Sequence, residues 1–222
     1  MKRLIAGILC LCMLCPQVSA AEPKYAALTF DDGPSGRFTR ALLDGLAKRG
    51  VHATFLLCGY RIEQYGELAK RIVEEGHEIG LHGYSHDCMG CMSAGQLRQE
   101  LEKTLALLPQ GCNPVFLRPP GGICSKTVSS TAKEFGLALL NWSVDPKDWA
   151  THDSAAVVRS VLKNTRDGDV ILLHDMTDSS VQAALEIIDQ LQAQGYVFLT
   201  ASELAAKKGV MLRPGTEYCW FS

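Results

Sequence analysis

The stretch YAALTFDDGP, residues 25–34, sets an apolar run of strand formers, Tyr25 to Phe30, directly against two adjacent carboxylates and a Gly-Pro turn. An apolar run of this length bounded by turn residues reads as a buried strand, and the acidic pair falls at its carboxyl end. The rest of the chain repeats the arrangement. Short apolar runs at Thr54 to Leu57, Ile79 to Leu81, Phe116 to Leu117, Leu137 to Leu140, Val170 to Leu173 and Val197 to Leu199 continue the strands. They alternate with segments of helical period at Phe38 to Arg49, Ile62 to Glu75, Ala94 to Leu108, Lys126 to Phe135, Ala155 to Asn164, Val181 to Gln194 and Ser202 to Lys207. About seven βα units of this kind predict an α/β fold, a parallel sheet covered by helices. Period alone leaves open whether the sheet is doubly wound or closed into a barrel.

The chain has 222 residues, with 22 Lys+Arg against 24 Asp+Glu and no basic run, which excludes electrostatic capture of nucleic acid as a leading function. With 47% hydrophobic and 21% charged residues it is neither disordered nor fibrous. Residues 1–20 open with Met1, Lys2 and Arg3, run apolar from Leu4 to Leu14 and reach small residues at Ser19 and Ala20. This is the pattern of a secretory signal peptide. The apolar run is about half of the roughly 20 residues a membrane-crossing helix needs. The expectation is therefore an exported chain, secreted or held at the cell envelope, with residues 21–222 as one domain and no transmembrane span. Three cysteines fall in the leader, leaving Cys58, Cys88, Cys91, Cys112, Cys124 and Cys219. An even number in an exported chain invites disulfides, with 15 possible connectivities; free thiols, or a metal or redox role for Cys88 and Cys91, are the alternatives.

In either architecture ligands meet the carboxyl ends of the strands, so the polar residues found there are the candidates. Asp31 and Asp32 follow the first strand, His82 and His86 the third, and Arg118 ends the fourth. Asp145 and Asp148 come close after the fifth, and His174 with Asp175 ends the sixth. The spacing HxxxH reads as two imidazoles on one side of a helical turn, and with Asp32 they form a two-His, one-carboxylate set. Three protein ligands leave a coordination position open. Zinc is the leading ion, and cobalt, nickel or iron suit the same ligands. Asp31 is then free to accept a proton, and His174 to donate one to a leaving group. Asp148 is the candidate to favour the imidazolium of His174, and Arg118 to orient Asp31 and keep it ionised. His52, His77 and His152 have no such partners and read as structural or surface residues.

Five motifs in order, TFDDGP at 29–34, HGYSH at 82–86, RPPGG at 118–122, DPKDW at 145–149 and LLH at 172–174, make the chain resemble the NodB-like polysaccharide deacetylases of carbohydrate esterase family 4. The resemblance spans about residues 25 to 205. It implies a distorted, incomplete (β/α) barrel, which chooses barrel over open sheet. It implies Asp31 as general base, Asp32, His82 and His86 as ligands of one divalent metal ion, His174 as general acid, Arg118 as the partner of Asp31 and Asp148 as the tuner of His174. It also implies Gly121 as a backbone donor to the oxyanion, with Trp149 and Leu172 walling the pocket for the acetyl methyl. The chain departs from the family at Gly83, where a Ser or Thr usually buttresses the metal loop, so that support is lost or passes to Ser85. It departs again at Gly121, where the family usually has an aromatic residue.

The function this implies is removal of acetyl groups from N-acetylglucosamine units of a cell-envelope glycan, foremost peptidoglycan, by an exported metal-dependent hydrolase. The substrate partner is an acetylated polysaccharide or oligosaccharide. Acetylxylan O-esterase and chitin-oligomer deacetylase are the enzymatic alternatives, and an inactive wall-glycan-binding protein is the alternative of a different class. The filled catalytic positions count against the last.

Overall fold

A computed structural model describes residues 22–222; the leader expected at 1–20 lies outside the described residues. The elements run in the order β1 (Lys24–Asp31), α1 (Gly36–Arg49), β2 (Thr54–Leu57), α2 (Gly59–Gln64), α3 (Gly66–Glu74), β3 (Glu78–Leu81), α4 (Ala94–Leu105), β4 (Phe116–Leu117) and α5 (Lys126–Glu134). There follow β5 (Ala138–Leu140), α6 (Asp148–Thr151), α7 (Ser154–Asn164), β6 (Asp169–His174), α8 (Asp178–Ala193), β7 (Tyr196–Phe198), α9 (Ala201–Lys207) and β8 (Glu217–Tyr218). All ladders are parallel, in the order β6-β1-β2-β3-β4-β5-β8, with β7 pairing the first half of β1. The curled sheet approaches closure through two isolated bridges to β6, from Val144 beyond β5 to Ile171 and from Trp220 beyond β8 to Asp169. An incomplete (β/α) barrel is therefore what forms.

The apolar strands behave as their composition dictates. Ala26, Leu28 and Phe30 of β1 pack outward into a core shared with Leu42, Leu46, Val158, Val161, Ile187 and Ile188 of the helices. Ala27 turns to the opposite face, into a second cluster with Leu56, Phe116, Leu140 and Val170. Period two then carries that inner face upward from Ala27 through Thr29 to Asp31, and from Val170 through Leu172 to His174. The register pairs Ala27 with Val170, Thr29 with Leu172, and Asp31 with His174. Two polar residues on separate strands thus reach the same height at the carboxyl rim. Side-chain caps at Ser93, Ser125, Asp153, Thr177 and Thr200 start α4, α5, α7, α8 and α9, Ser93 and Thr200 as capping boxes.

Several sequence expectations need correction. The single helix expected over Ile62 to Glu75 is two, broken at Tyr65, whose φ of -131° and ψ of 44° leave the helical region. The short elements α6 and β8 carry too few residues to show a period and were not expected. The histidine pair does not lie on a helical turn: β3 ends at Leu81, and residues 82–86 form an irregular loop with Gly83 at φ 81° and His86 at φ 67°. All six described cysteines are free thiols, so the expected disulfides are not what the structure holds. Burial pushes the Cys112 thiol up to about 11 and the Cys124 thiol up to about 12, so neither is a thiolate at neutral pH. Among the described residues, no helix is long and apolar enough to cross a membrane.

Candidate functional site

The site begins where β1 ends. Asp31 is the last residue of the strand rather than the first beyond it, and keeps the inward direction set by Thr29. Asp32 turns into the left-handed region at φ 73°, which sends its carboxylate elsewhere. Two neighbouring acids therefore face different partners. Asp31 Oδ1 accepts a 2.6 Å hydrogen bond from Arg118 Nη1, and both side chains are buried. The Arg118 guanidinium also donates to Thr29 Oγ1 and to the carbonyls of Leu140 and Asn141, at 2.6–2.9 Å. A fully buried cation is tolerated only with such partners. They leave the guanidinium no freedom to swing away from Asp31.

Asp32 faces the histidines. Its Oδ1 lies 3.3 Å from His82 Nε2 and 3.0 Å from His86 Nε2, yet this buried oxygen makes no hydrogen bond. His82 Nδ1 sits 2.7 Å from the carbonyl oxygen of Arg118, which can only accept, so Nδ1 carries a proton and in the neutral ring Nε2 is the lone pair aimed inward. Asp32, His82 and His86 are, among the described residues, the group of three whose ligand atoms all lie within 4.8 Å of one another. Burial pushes the Asp32 carboxyl up, but the two imidazoles outweigh it and hold the group well below the usual carboxylate range. Asp32 in turn raises His86, against the opposing effect of its burial. Protons on the rings or a divalent cation between them would answer the same convergence of acceptors, and an orphaned carboxylate oxygen between two imidazole nitrogens fits the cation.

His174 stands beside Asp31, level with it on the adjacent strand β6, and lines the same cleft. Asp148, buried at the start of α6, accepts from the His174 backbone N–H at 2.9 Å through Oδ2 and holds His174 Nδ1 at 2.9 Å through Oδ1. Burial lowers the His174 pKa, but the Asp148 partner, helped by Asp31 and Asp32, reverses this and lifts it to about 9. The imidazolium is thus the resting form at neutral pH, with Nε2 left to face the cleft.

These groups line a cleft of about 370 Å³, walled by Gly121, Trp142, Asp145, Trp149 and Leu172. Every residue given a site role from the sequence is at or directly behind this one rim: Arg118 and Asp148 stand behind Asp31 and His174, and the others line the cleft. The strand-end candidate Asp175 is buried instead and accepts from the Thr39 hydroxyl. Trp149 is 58% exposed and stands at the cleft mouth, whereas Leu172 is buried at its floor. Gly121 adopts φ 71° with open space where a side chain would project. Trp142 was missed. It lies two residues past β5, so the strand-end rule that found the others would have found it too. Gly122 makes room for it, since a Cβ there would stand 2.9 Å from its ring. His77 is buried in the core away from the site, accepts from the Ala53 N–H through Nδ1, and is lowered to about 4 chiefly by its burial. The structural role expected for it holds.

An incomplete barrel with a His₂Asp cluster, a clamped second carboxylate and a carboxylate-held histidine on one rim defines a hydrolase-type site, able to bind a cation, take up one proton and deliver another. Residues 19–140 match the family described as polysaccharide deacetylase. The chain is 37% identical over 191 residues to a peptidoglycan-N-acetylglucosamine deacetylase of Bacillus cereus, covering 83% of this chain and 90% of that one. It is also 37% identical over 206 residues to the peptidoglycan-N-acetylglucosamine deacetylase PgdA of Listeria monocytogenes; there the match takes in 91% of this chain and 43% of the relative, so the chain spans less than half of that protein's length. Among solved structures, a family 4 acetyl xylan esterase from Clostridium thermocellum in complex with a cobalt ion superposes with a TM-score of 0.83 at 34% identity, over 89% of this chain and 98% of that one. The chain belongs to the polysaccharide deacetylase family.

Proposed function

We propose that this chain is an exported, divalent-metal-dependent deacetylase that hydrolyses the N-acetyl group of N-acetylglucosamine residues in a cell-envelope glycan, foremost peptidoglycan. The observation that carries the reading is that the clamped Asp31 and the imidazolium His174, level with each other on adjacent strands, line one cleft with the Asp32–His82–His86 cluster. The leader-like residues 1–20, read as cleaved from a single catalytic domain at 21–222, support export to the envelope.

A divalent ion held by Asp32, His82 and His86, zinc first and cobalt, nickel or iron as alternatives, would supply positive charge that polarises the acetyl carbonyl and acidifies water. Asp31, oriented by Arg118, accepts the proton of the attacking water. The Gly121 N–H faces the developing oxyanion, and Leu172 with Trp149 receives the acetyl methyl. His174 delivers its Nε2 proton to the departing nitrogen while Asp148 holds Nδ1, so that one water and one amide become acetate and a free amine. An ester passes through the same tetrahedral stage, and the similarity to an acetyl xylan esterase makes acetylxylan the second reading. Acetate release from N-acetylglucosamine oligomers and from peptidoglycan, run beside acetylxylan, tests the proposal. Release from the glucosamine substrates with little from acetylxylan supports it, and the reverse ordering sinks it.

A further inference from the structure

His82 and His86 come from a loop of irregular backbone, and irregular backbone does not hold ligand nitrogens in place by itself. A carboxylate from another element grips the turn between them. Glu100, in the second turn of α4, places Oε2 2.8 Å from the Tyr84 N–H, 2.8 Å from the Ser85 N–H and 3.0 Å from the Ser85 hydroxyl. Ser85 Oγ accepts in turn from the Asp87 N–H at 3.2 Å, which carries the grip past His86. One oxygen thus takes three donors from two consecutive residues, an arrangement that favours an anion. The space around it is shaped to match. A Cβ on Gly83 would stand 3.3 Å from Glu100 Oε2 and 2.9 Å from Met89 Cε, and Gly83 itself needs its φ of 81°. Helix α4 is a firm base, with Leu97 and Leu101 fully buried and a capping box at its start.

We propose that Glu100 is a positioning residue for the metal loop, fixing the turn between His82 and His86 so that both ring nitrogens converge on Asp32 before an ion arrives. The proposal rests on the metal-site reading above. Glu100 lies outside the ligand group and acts through the loop. Without it two successive N–H groups of a tight, half-buried turn lose their acceptor, and the ordering of the turn has to accompany metal binding. It also accounts for the loop's support in the absence of a hydroxyl at position 83: the support comes from Ser85 and from a helix beyond the motif.

The test is zinc affinity, measured on the full chain stripped of metal and titrated with zinc against a chromophoric chelator, with the Tm of the metal-free protein as the measure of fold. Glu100→Ala should bind zinc ~10- to 100-fold more weakly than wild type, as loss of an outer-shell partner does. Glu100→Gln, which keeps an acceptor oxygen but not the charge, should fall between the two, and Ser85→Ala should show a smaller loss. At saturating zinc the kcat of Glu100→Ala should return close to wild type. An affinity for Glu100→Ala indistinguishable from wild type overturns the proposal, as does a kcat that stays low at saturation, which would place Glu100 in the reaction itself. Should Glu100→Ala not fold, wild-type affinity in both Glu100→Gln and Ser85→Ala overturns it equally. A wild-type protein that takes up no zinc, or a His86→Ala variant that binds it undiminished, overturns the metal-site reading instead and so separates the two failures.

Discussion

The two walls of the cleft are built on different principles. On one side His174 ends a regular strand, locked opposite Asp31 by the β1–β6 ladder, and both oxygens of the buried Asp148 are spent on its backbone and ring. On the other, Asp32, Gly83 and His86 all adopt left-handed backbone, and the loop keeps its shape through backbone bonds from the Gly59 and Tyr60 N–H groups to the carbonyls of Gly83 and Tyr84 and through bonds to the Glu100 side chain. His86 is also the more open residue, its side chain 44% exposed against 12% for His174. A strand-borne group is aimed by the ladder and tuned by its buried neighbour; a loop-borne group is aimed by outer-shell bonds and can yield to an arriving ion. The acid side should therefore respond to substitution through proton affinity, and the loop side through metal affinity.

The most damaging way to probe that division is to remove a loop-side ligand. Asp32→Ala, His82→Ala and His86→Ala should each lose bound metal and activity together, read by metal analysis beside acetate release. Stoichiometric metal in all three would break the assignment. Asp31→Asn lies on the boundary between the walls and should keep its metal while losing ~10²-fold or more in kcat. Near-normal turnover would remove Asp31 as the base.

Asp148→Asn sharpens the contrast from the acid side. With His174 held at about 9, the alkaline limb of kcat/KM should lie near that pH. Loss of the Asp148 charge should draw the limb down toward the ordinary histidine value of about 6.5 while metal content stays unchanged. A limb that does not move would separate Asp148 from His174. The smallest effect is on stability. Because the folded His174 binds its proton more tightly than the unfolded one, its contribution is fully present below about pH 6.5 and is lost as pH rises through about 9. The Tm of wild type should fall across that window by more than the Tm of His174→Gln, and matching curves would contradict the raised value.

Much of the acid side was legible in the residues themselves. The apolar run before His174 marked a strand, the strand end marked a rim, and DPKDW supplied the nearest carboxylate. The loop side was legible as composition and not as shape. HxxxH carries helical spacing, yet Gly83 sits inside it, and a left-handed glycine three residues before a left-handed His86 makes a turn no period describes. Trp142 went unnoticed although it stands where the strand-end argument points. Glu100 had no signal at all, since it lies fourteen residues past His86 on a helix whose outer face reads as solvated.

The amino-acid sequence by itself determined which segments alternate as strand and helix, because burial on both faces of a parallel strand demands continuous apolar runs and burial on one face of a helix demands a stripe. It also determined which chemical groups fall at strand ends, since that is adjacency along the chain. Only the tertiary structure decided that the sheet curls far enough to bring Val144 against Ile171, that Asp31 stands at the height of His174, and that Arg118 reaches both Thr29 and Asp31. Ladder register and side-chain reach are relations between residues far apart in the chain, 172 positions in the pairing of Lys24 with Tyr196. No local pattern encodes them, because they are selected by the packing of the whole core.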